Sequence, residues 1–566
     1  MVAKGTAINR YAVASGGTVL LGTLVLANNH YYASQTIVGE CESTTRVNVL
    51  ASVSTTVNWL GTTSSDWSVA SNWCSGVPTP TSNVLIPSGN VHITTALSSP
   101  TVCHNLTISW GAVLTIDAGK ALTVNGILTN NAGTTGLIIK SDVSGAGSLI
   151  NNTSGVNASV ELYLAQGSGI RHHYISSPIT AASSNMFSGY YVYRYDEPTT
   201  AWVNMLANQT LSAMTGYSVY KPNTSAITKT FIGTLNTGLI GTEQNVTFLN
   251  TGWNLVGNPY PSAIDWNSAS WTRTNVLLSF YTWDQTMKRY TSYVNGVGAN
   301  GGNNIIPSMQ GFMVRVDTLG ESTGTLIMTN AIRVHNNQAF WKNNIHNQLR
   351  LTASIVGFED ETIVRFEDQS SNEFDSKWDA LKLMADQGGA QLYTKAGNKD
   401  LSINTLPLIS NDLIIPLQLK INQNGQYQIS ATELESFDAG TFIYLEDLRL
   451  NSMIDLMESP VYVFSGIIGD NSDRFRLHFN LTPQSINSET RGNISVYSYD
   501  NKLYVKTPKN AQGNVEVYDV LGKQLYVSQL KNTTLNTFVL NNLSTGYYIV
   551  KVNNVDKVIS EKILIK

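Results

Sequence analysis

The sequence predicts an all-β, multidomain protein: a β-solenoid-like repeat, β-sandwich or jelly-roll modules, and a C-terminal β-sandwich. Three observations predict it. Short runs alternate apolar and polar residues, the two-residue period of half-buried strands. Forty-four glycines break up those runs, so turns are frequent. Long helical patterns are few, and 26 Tyr, 11 Trp, much Ser, Thr and Asn and only 13% charged residues read as strand and turn. The 566 residues leave room for about four domains of ordinary size. A net charge of -4 with no basic stripe argues against nucleic acid as a partner. No apolar run is long enough for a transmembrane helix.

Residues 11–27 follow Lys4 and Arg10 and have the outline of a signal peptide. Gly16, Gly17, Gly22 and Thr23 interrupt the apolar stretch, and no A-x-A site follows. Residues 1–54 read better as the end of a β module. Tyr31, Tyr32, Ser34, Gln35, Cys41, Glu42, Ser43 and Val47 resemble the last strands of an immunoglobulin-like module found in tandem in large gliding adhesins. In that family the late cysteine pairs with one near the module's start, and the sequence offers none upstream of Cys41. The expectation is a chain that begins inside a module, with an export signal and earlier modules missing.

Residues 55–158 form the next expected unit. Trp59, Trp67 and Trp73 are interleaved with Gly, Ser and Asn; they either form a sugar-stacking platform or cap the open end of a β structure, and capping is preferred. The spacing resembles a pattern common ahead of strand repeats in surface proteins that carry type IX export labels. Leu106 and Ile108, Leu114 and Ile116, and Leu122 and Val124 then recur every eight residues. Turn residues separate the pairs, and each pair puts two side chains on one strand face. A β-solenoid fits, as stacked coils bury a continuous core; a meander of hairpins also fits. Cys74 and Cys103 are a candidate disulfide, which an exported protein would permit.

Residues 159–340 are rich in Trp and Tyr and show strand alternation at 190–195, 215–220 and 312–316. They resemble an uncharacterised β module common in type IX cargo. Residues 341–482 hold strand candidates with turn signals between them, as in an antiparallel sandwich or jelly roll. Residues 483–492 are polar and read as a linker.

Residues 493–566 alternate as short strands, with turns at Gly513, Gly522 and Gly546. Val515, Val517, Tyr518, Asp519, Gly522, Lys523, Leu543, Gly546, Tyr547, Tyr548, Lys562 and Lys566 carry a resemblance to the type A C-terminal sorting domain of the type IX secretion system. The resemblance implies export across the outer membrane to the cell surface or medium. It implies as partners the type IX translocon, a shuttle barrel and the system's sortase, which removes the domain with surface attachment or release.

Catalytic signatures are missing. No H-E-x-x-H, G-x-S-x-G or Walker A pattern occurs. The G-x-G-x-x-G at Gly296, Gly298 and Gly301 precedes no helix pattern and reads as a loop. Arg171, His172 and His173 would alternate across a strand rather than chelate one ion. Glu446 and Asp447 would face apart for the same reason. Glu359–Glu361 and Asp470 with Asp473 are the acidic clusters; neither has an EF-hand pattern, so no cofactor is expected and Ca²⁺ is a minor alternative. The reading is a non-catalytic, adhesin-like or structural surface protein with a surface glycan as one candidate ligand. The alternatives are a secreted carbohydrate-active enzyme and a non-catalytic glycan-binding protein.

Overall fold

The protein was analysed as a computed structural model. It describes all residues except 1–7, 22–28, 37–40, 52–55, 166–171, 221–224, 318–321, 336–345, 386–387, 410–411, 439–440, 481–493, 500–501, 508–510, 521, 534, 541–542, 545, 555–556 and 566. The expected linker, Arg171 and Lys566 therefore lie outside the described residues. Strands dominate, and the described helical turns are short 3-10 pieces.

The eight-residue repeat is one side of a three-sided coil. Leu106, Leu114 and Leu122 stand on three successive strands, Leu106–Ile108, Val113–Ile116 and Ala121–Val124. Each of these belongs to a different parallel sheet. On the first side Val84, Leu106 and Leu128 stack in register. On the second, Val91, Leu114 and Leu137 do so, and on the third, Thr101, Leu122 and Leu149. The inward residues Leu106, Ile108, Leu114, Ile116 and Leu122 have no exposed surface. Each contributes roughly 1.5–3 kcal/mol by leaving water. Asparagines hold one corner: Asn105 Nδ2 donates to Asn83 Oδ1 at 2.7 Å, while Asn105 Oδ1 accepts from the Ile127 N–H. This is the solenoid the repeat predicted.

Both ends of the solenoid are closed. Trp59, Trp67 and Trp73 are almost fully buried in its core and pack edge to face, with centroids 4.8 and 4.6 Å apart. They cap the first coil, as expected, and are not a surface platform. At the other end the strand Asn157–Leu164 pairs parallel with Leu137–Ile139 and antiparallel with Ile227–Thr234, which ends the parallel stack on that side. The expected boundary at 158–159 thus falls inside a strand.

The third side of the solenoid is covered by residues from the next segment. Leu149 N donates to Pro261 O at 2.8 Å, and Arg333 Nη1 donates to Asn151 O at 2.7 Å. His335 bridges Ser148 Oγ and Thr123 Oγ1 at 2.7 and 2.8 Å. Burial pushes the His335 imidazole down to about 4, and neighbouring Arg333 adds to the effect. The folded state thus holds His335 neutral. Its contribution is complete above the unfolded value near 6.5 and is lost as pH falls through 4. The expected loss is about 2–3 kcal/mol by pH 4.5. Denaturant unfolding of the protein and of His335→Gln between pH 7.5 and 4.5 checks this: the variant should show the flatter profile.

Residues 348–480 form one large, mostly antiparallel sheet. One pair, Phe358–Phe366 beside Lys399–Leu406, runs parallel. The sheet rolls back on itself. Its edge strand Val461–Gly466 meets strands from the other end: Phe464 lies 5.0 Å from Phe475, and Tyr462 Oη donates to Asp447 Oδ2 at 2.8 Å. The expected modules are also joined, since Tyr174, Leu255 and Tyr281 share a core with Ile363, Ala380 and Ile403. Residues Met1–Phe479 make one compact unit and Asn480–Lys566 another. The first begins with a three-stranded antiparallel sheet, Ile8–Tyr11, Asn29–Gln35 and Val47–Ala51, where Glu42 accepts from Tyr11 Oη at 2.5 Å.

Candidate functional site

The C-terminal unit is built from two sheets around one core. Ser495–Tyr499, Lys502–Lys506 and Leu535–Val539 form the first. Gln524–Gln529, Gly513–Tyr518, Gly546–Asn554 and Lys557–Ile565 form the second, in that order. The residues singled out from the sequence fall into three physical groups. Val515, Val517 and Tyr548 are buried in the core, and Leu543 packs against it. Tyr548 Oη donates to Ser544 O at 2.6 Å, which pins the loop before its strand.

Asp519, Gly522 and Lys523 make the hairpin turn. Asp519 Oδ1 accepts from the Lys523 N–H at 2.9 Å, the Asp519 N–H donates to Lys523 O, and Gly522 has φ +87°. A side chain is strained at that angle, which explains the glycine. At Gly546 an added Cβ would meet only ordinary contact distances.

The third group lies on the outer face of the second sheet. Tyr518, Ile549 and Lys562 occupy one cross-strand row, and Lys562 Nζ sits 4.4 Å from the centre of the Tyr547 ring. Tyr547 is 57% exposed and Ile549 38%. Glu516 beside them accepts from Tyr518 Oη at 2.6 Å, which holds its carboxyl below the usual range. Ile549 escaped the sequence reading, although it stands two residues beyond Tyr547 on the same face.

Cys74 and Cys103 are free thiols, so the candidate disulfide is corrected. Cys103 points into the solenoid, where burial pushes its thiol up to about 12, whereas Cys74 is exposed and accepts from the Asn58 N–H. The glycine motif is a hairpin. Asn295 and Gly296 both have positive φ between strands Arg289–Val294 and Val297–Ala299, as a type I′ turn requires. A Cβ on Gly298 would stand 1.8 Å from Gly302 O. His172 Nδ1 bonds Ser218 Oγ at 2.9 Å, and His173 begins the strand His173–Ile175.

Four of the acidic-cluster carboxylates meet basic side chains. Glu359 meets Arg289, Asp360 meets Lys382, and Glu361 meets Arg350. Asp470 meets Arg449 at 2.8 Å. Glu446 and Asp447 do face apart: Glu446 meets His478, and Asp447 is buried against Arg474. A cavity of about 210 Å³ lies in the first unit, lined in part by Leu164, His172, Tyr174, Trp283, Gln285 and Gln310.

A family model described as "Domain of unknown function (DUF8693)" matches residues 58–479, well over half of the chain. The chain belongs to the DUF8693 family. The DUF8693 segment takes in the solenoid and the large rolled sheet, and it stops where the first compact unit stops. Residues 499–566 match a second model, "Secretion system C-terminal sorting domain". The protein is exported by the type IX system to the cell surface or extracellular space. Among the described residues no helix is long and apolar enough to cross a membrane.

The minor fimbrium subunit Mfa5 of Porphyromonas gingivalis is 25% identical over 491 residues, covering 75% of this chain. The match covers 39% of that protein, so the chain spans well under half of the relative's length. Among solved structures, the Bacillus anthracis TIE protein matches at 8% identity over 74% of this chain and 69% of that one. Its TM-score of 0.10 carries no argument about the fold.

Proposed function

We propose that this protein is a non-catalytic, adhesin-like or structural component of the cell surface. One observation carries the reading: an export domain is attached to a unit in which the buried carboxylates Asp360, Glu361 and Asp447 each meet a basic partner. A carboxylate held by Arg474 or Lys382 inside a core is a poor proton carrier for a substrate. The stiff solenoid and the rolled sheet then serve to hold a binding surface away from the cell. The fimbrial relative supports a role as a subunit of a surface fimbrium. The three-stranded sheet at residues 8–51 fits strands of an immunoglobulin-like module. The translocon, shuttle barrel and sortase would meet the outer face of the sorting domain.

The test uses the full chain purified from the medium or cell surface. It is incubated with a panel of polysaccharides in a reducing-sugar assay, and a deletion strain is scored for attachment and aggregation. No sugar release with impaired attachment is the expected result. Release of reducing ends above a heat-killed control would overturn the reading.

A further inference from the structure

One face of the small sheet at residues 173–220 is made of aromatic rings. Strand register fixes its members. Tyr191 lies opposite Tyr220, Tyr193 opposite Asn204, Tyr195 opposite Trp202, and Tyr174 opposite Ser218. Side chains alternate along a strand, so Ile175, Val192, Tyr217 and Val219 point the other way, into the core. The aromatic side is only partly covered: Tyr191 is 51% exposed and Trp202 41%.

The rings hold one another in place. Tyr220 lies nearly parallel to Tyr191 and Tyr193, with centroids 5.0 and 6.2 Å away. Trp202 packs against Tyr195 at 5.3 Å and Tyr174 at 5.6 Å. A ring already fixed by its neighbours loses little entropy when a ligand settles on it. At its Tyr174 end the face reaches the cavity described above. Trp283 Nε1 and Gln285 Oε1 are buried beside that cavity with no hydrogen-bond partner among the described residues. A donor and an acceptor are thus left over next to the rings.

Chemistry selects the ligand class. The strand positions on this face hold no Lys, Arg, Asp or Glu. Phosphate-bearing ligands need a cationic track, so a nucleic acid does not fit. The same positions hold no Leu, Ile, Val or Met to anchor an apolar partner. Flat rings edged by hydroxyl and amide groups suit a molecule with C–H faces and hydroxyl rims. We propose that this face binds a neutral glycan chain, with sugar rings stacked on Tyr191, Tyr220 and Trp202. Asn204, His172 and the tyrosine hydroxyls are placed to meet its hydroxyls. The inference rests on the surface role proposed above and names the ligand class for it. The i, i+2, i+4 spacing of Tyr191, Tyr193 and Tyr195 was the signal in the sequence.

The test is an array of neutral hexose oligosaccharides (cellohexaose, laminarihexaose and mannohexaose) probed with the full chain, followed by calorimetry. At least one should bind at millimolar concentration, with Tyr191→Ala and Trp202→Ala each weakening it roughly tenfold. Both residues are at the surface, so the variants should fold; Trp110→Ala, at an 83% exposed tryptophan on the solenoid, should bind unchanged. No binding to any of the three, or binding that survives the Tyr191→Ala, Trp202→Ala double variant, overturns the site and leaves the surface role standing. Preference for a protein partner or an acidic chain overturns the ligand class. Cleavage of a bound oligosaccharide overturns the non-catalytic reading instead.

Discussion

Val517→Asp is expected to abolish surface display and leave the protein in the periplasm, as deletion of residues 493–566 should. Val517 has no exposed surface and pairs with Val550 across the central strands of the sorting domain. An unpaired carboxylate there costs roughly 4 kcal/mol or more. A domain of this size commands only about 5–15 kcal/mol in all, so the mutation removes much of it. The measurement is protease accessibility of intact cells against fractionated periplasm. Substitutions on the outer face separate folding from recognition. Tyr547→Ala and Lys562→Ala alter exposed groups, so the domain should keep its protease-resistant core. Lower export with an intact core would assign recognition to that face. Normal surface display of Val517→Asp would refute the need for a folded signal.

Arg474→Ala should destabilise the rolled sheet by about 3–5 kcal/mol, because it strands a buried carboxylate. Arg474 donates to Asp447 through Nε at 3.0 Å and Nη2 at 2.6 Å, and through Nη1 to Ser465 O at 2.9 Å. Its guanidinium also lies 4.5 Å from the Phe464 ring centre and 5.0 Å from that of Phe475. Asp447 has no exposed surface. Burial alone would raise its pKa, but Arg474 and Tyr462 outweigh burial and hold the carboxyl below its usual range. Such a group adds stability above its unfolded pKa, and that stability is lost as pH falls through the lower folded value. Arg474→Ala should therefore be most damaging near neutral pH and lose its effect in acid. Urea unfolding at pH 7 and pH 3.5, followed by tryptophan fluorescence and proteolysis, tests this. The double variant Asp447→Leu, Arg474→Met should recover part of the loss, since two apolar groups leave no buried charge. Equal destabilisation at both pH values would show that packing, not charge, is what Arg474 contributes.

Much of the fold was legible because strand pairing is written in short-range patterns. The spacing of Leu106, Leu114 and Leu122 announced the solenoid, and the Val515–Tyr518 alternation announced a sorting-domain strand. The Trp59, Trp67 and Trp73 cluster was correctly read as a cap, because large rings next to an open apolar stack are best buried. The Cys74–Cys103 pairing was not supported. Which way a cysteine points depends on the coil it joins, and only Cys103 faces the interior. Asp447 was noted as one of two neighbours facing apart, but its partner Arg474 lies 27 residues away and was invisible.

By itself the sequence determined that the protein is all-β, that it opens its repeats with a tryptophan cap, and that it carries an export signal in residues 499–566. These are properties of residue periodicity and of local turns, which act over a few positions. Only the tertiary structure decided that the expected modules up to residue 479 share cores, that His335 locks a neighbouring segment onto the solenoid, and that Tyr174, Tyr191, Tyr220 and Trp202 form one surface. Those depend on strand register and on contacts between distant segments, where the order of the chain no longer says which side chains meet.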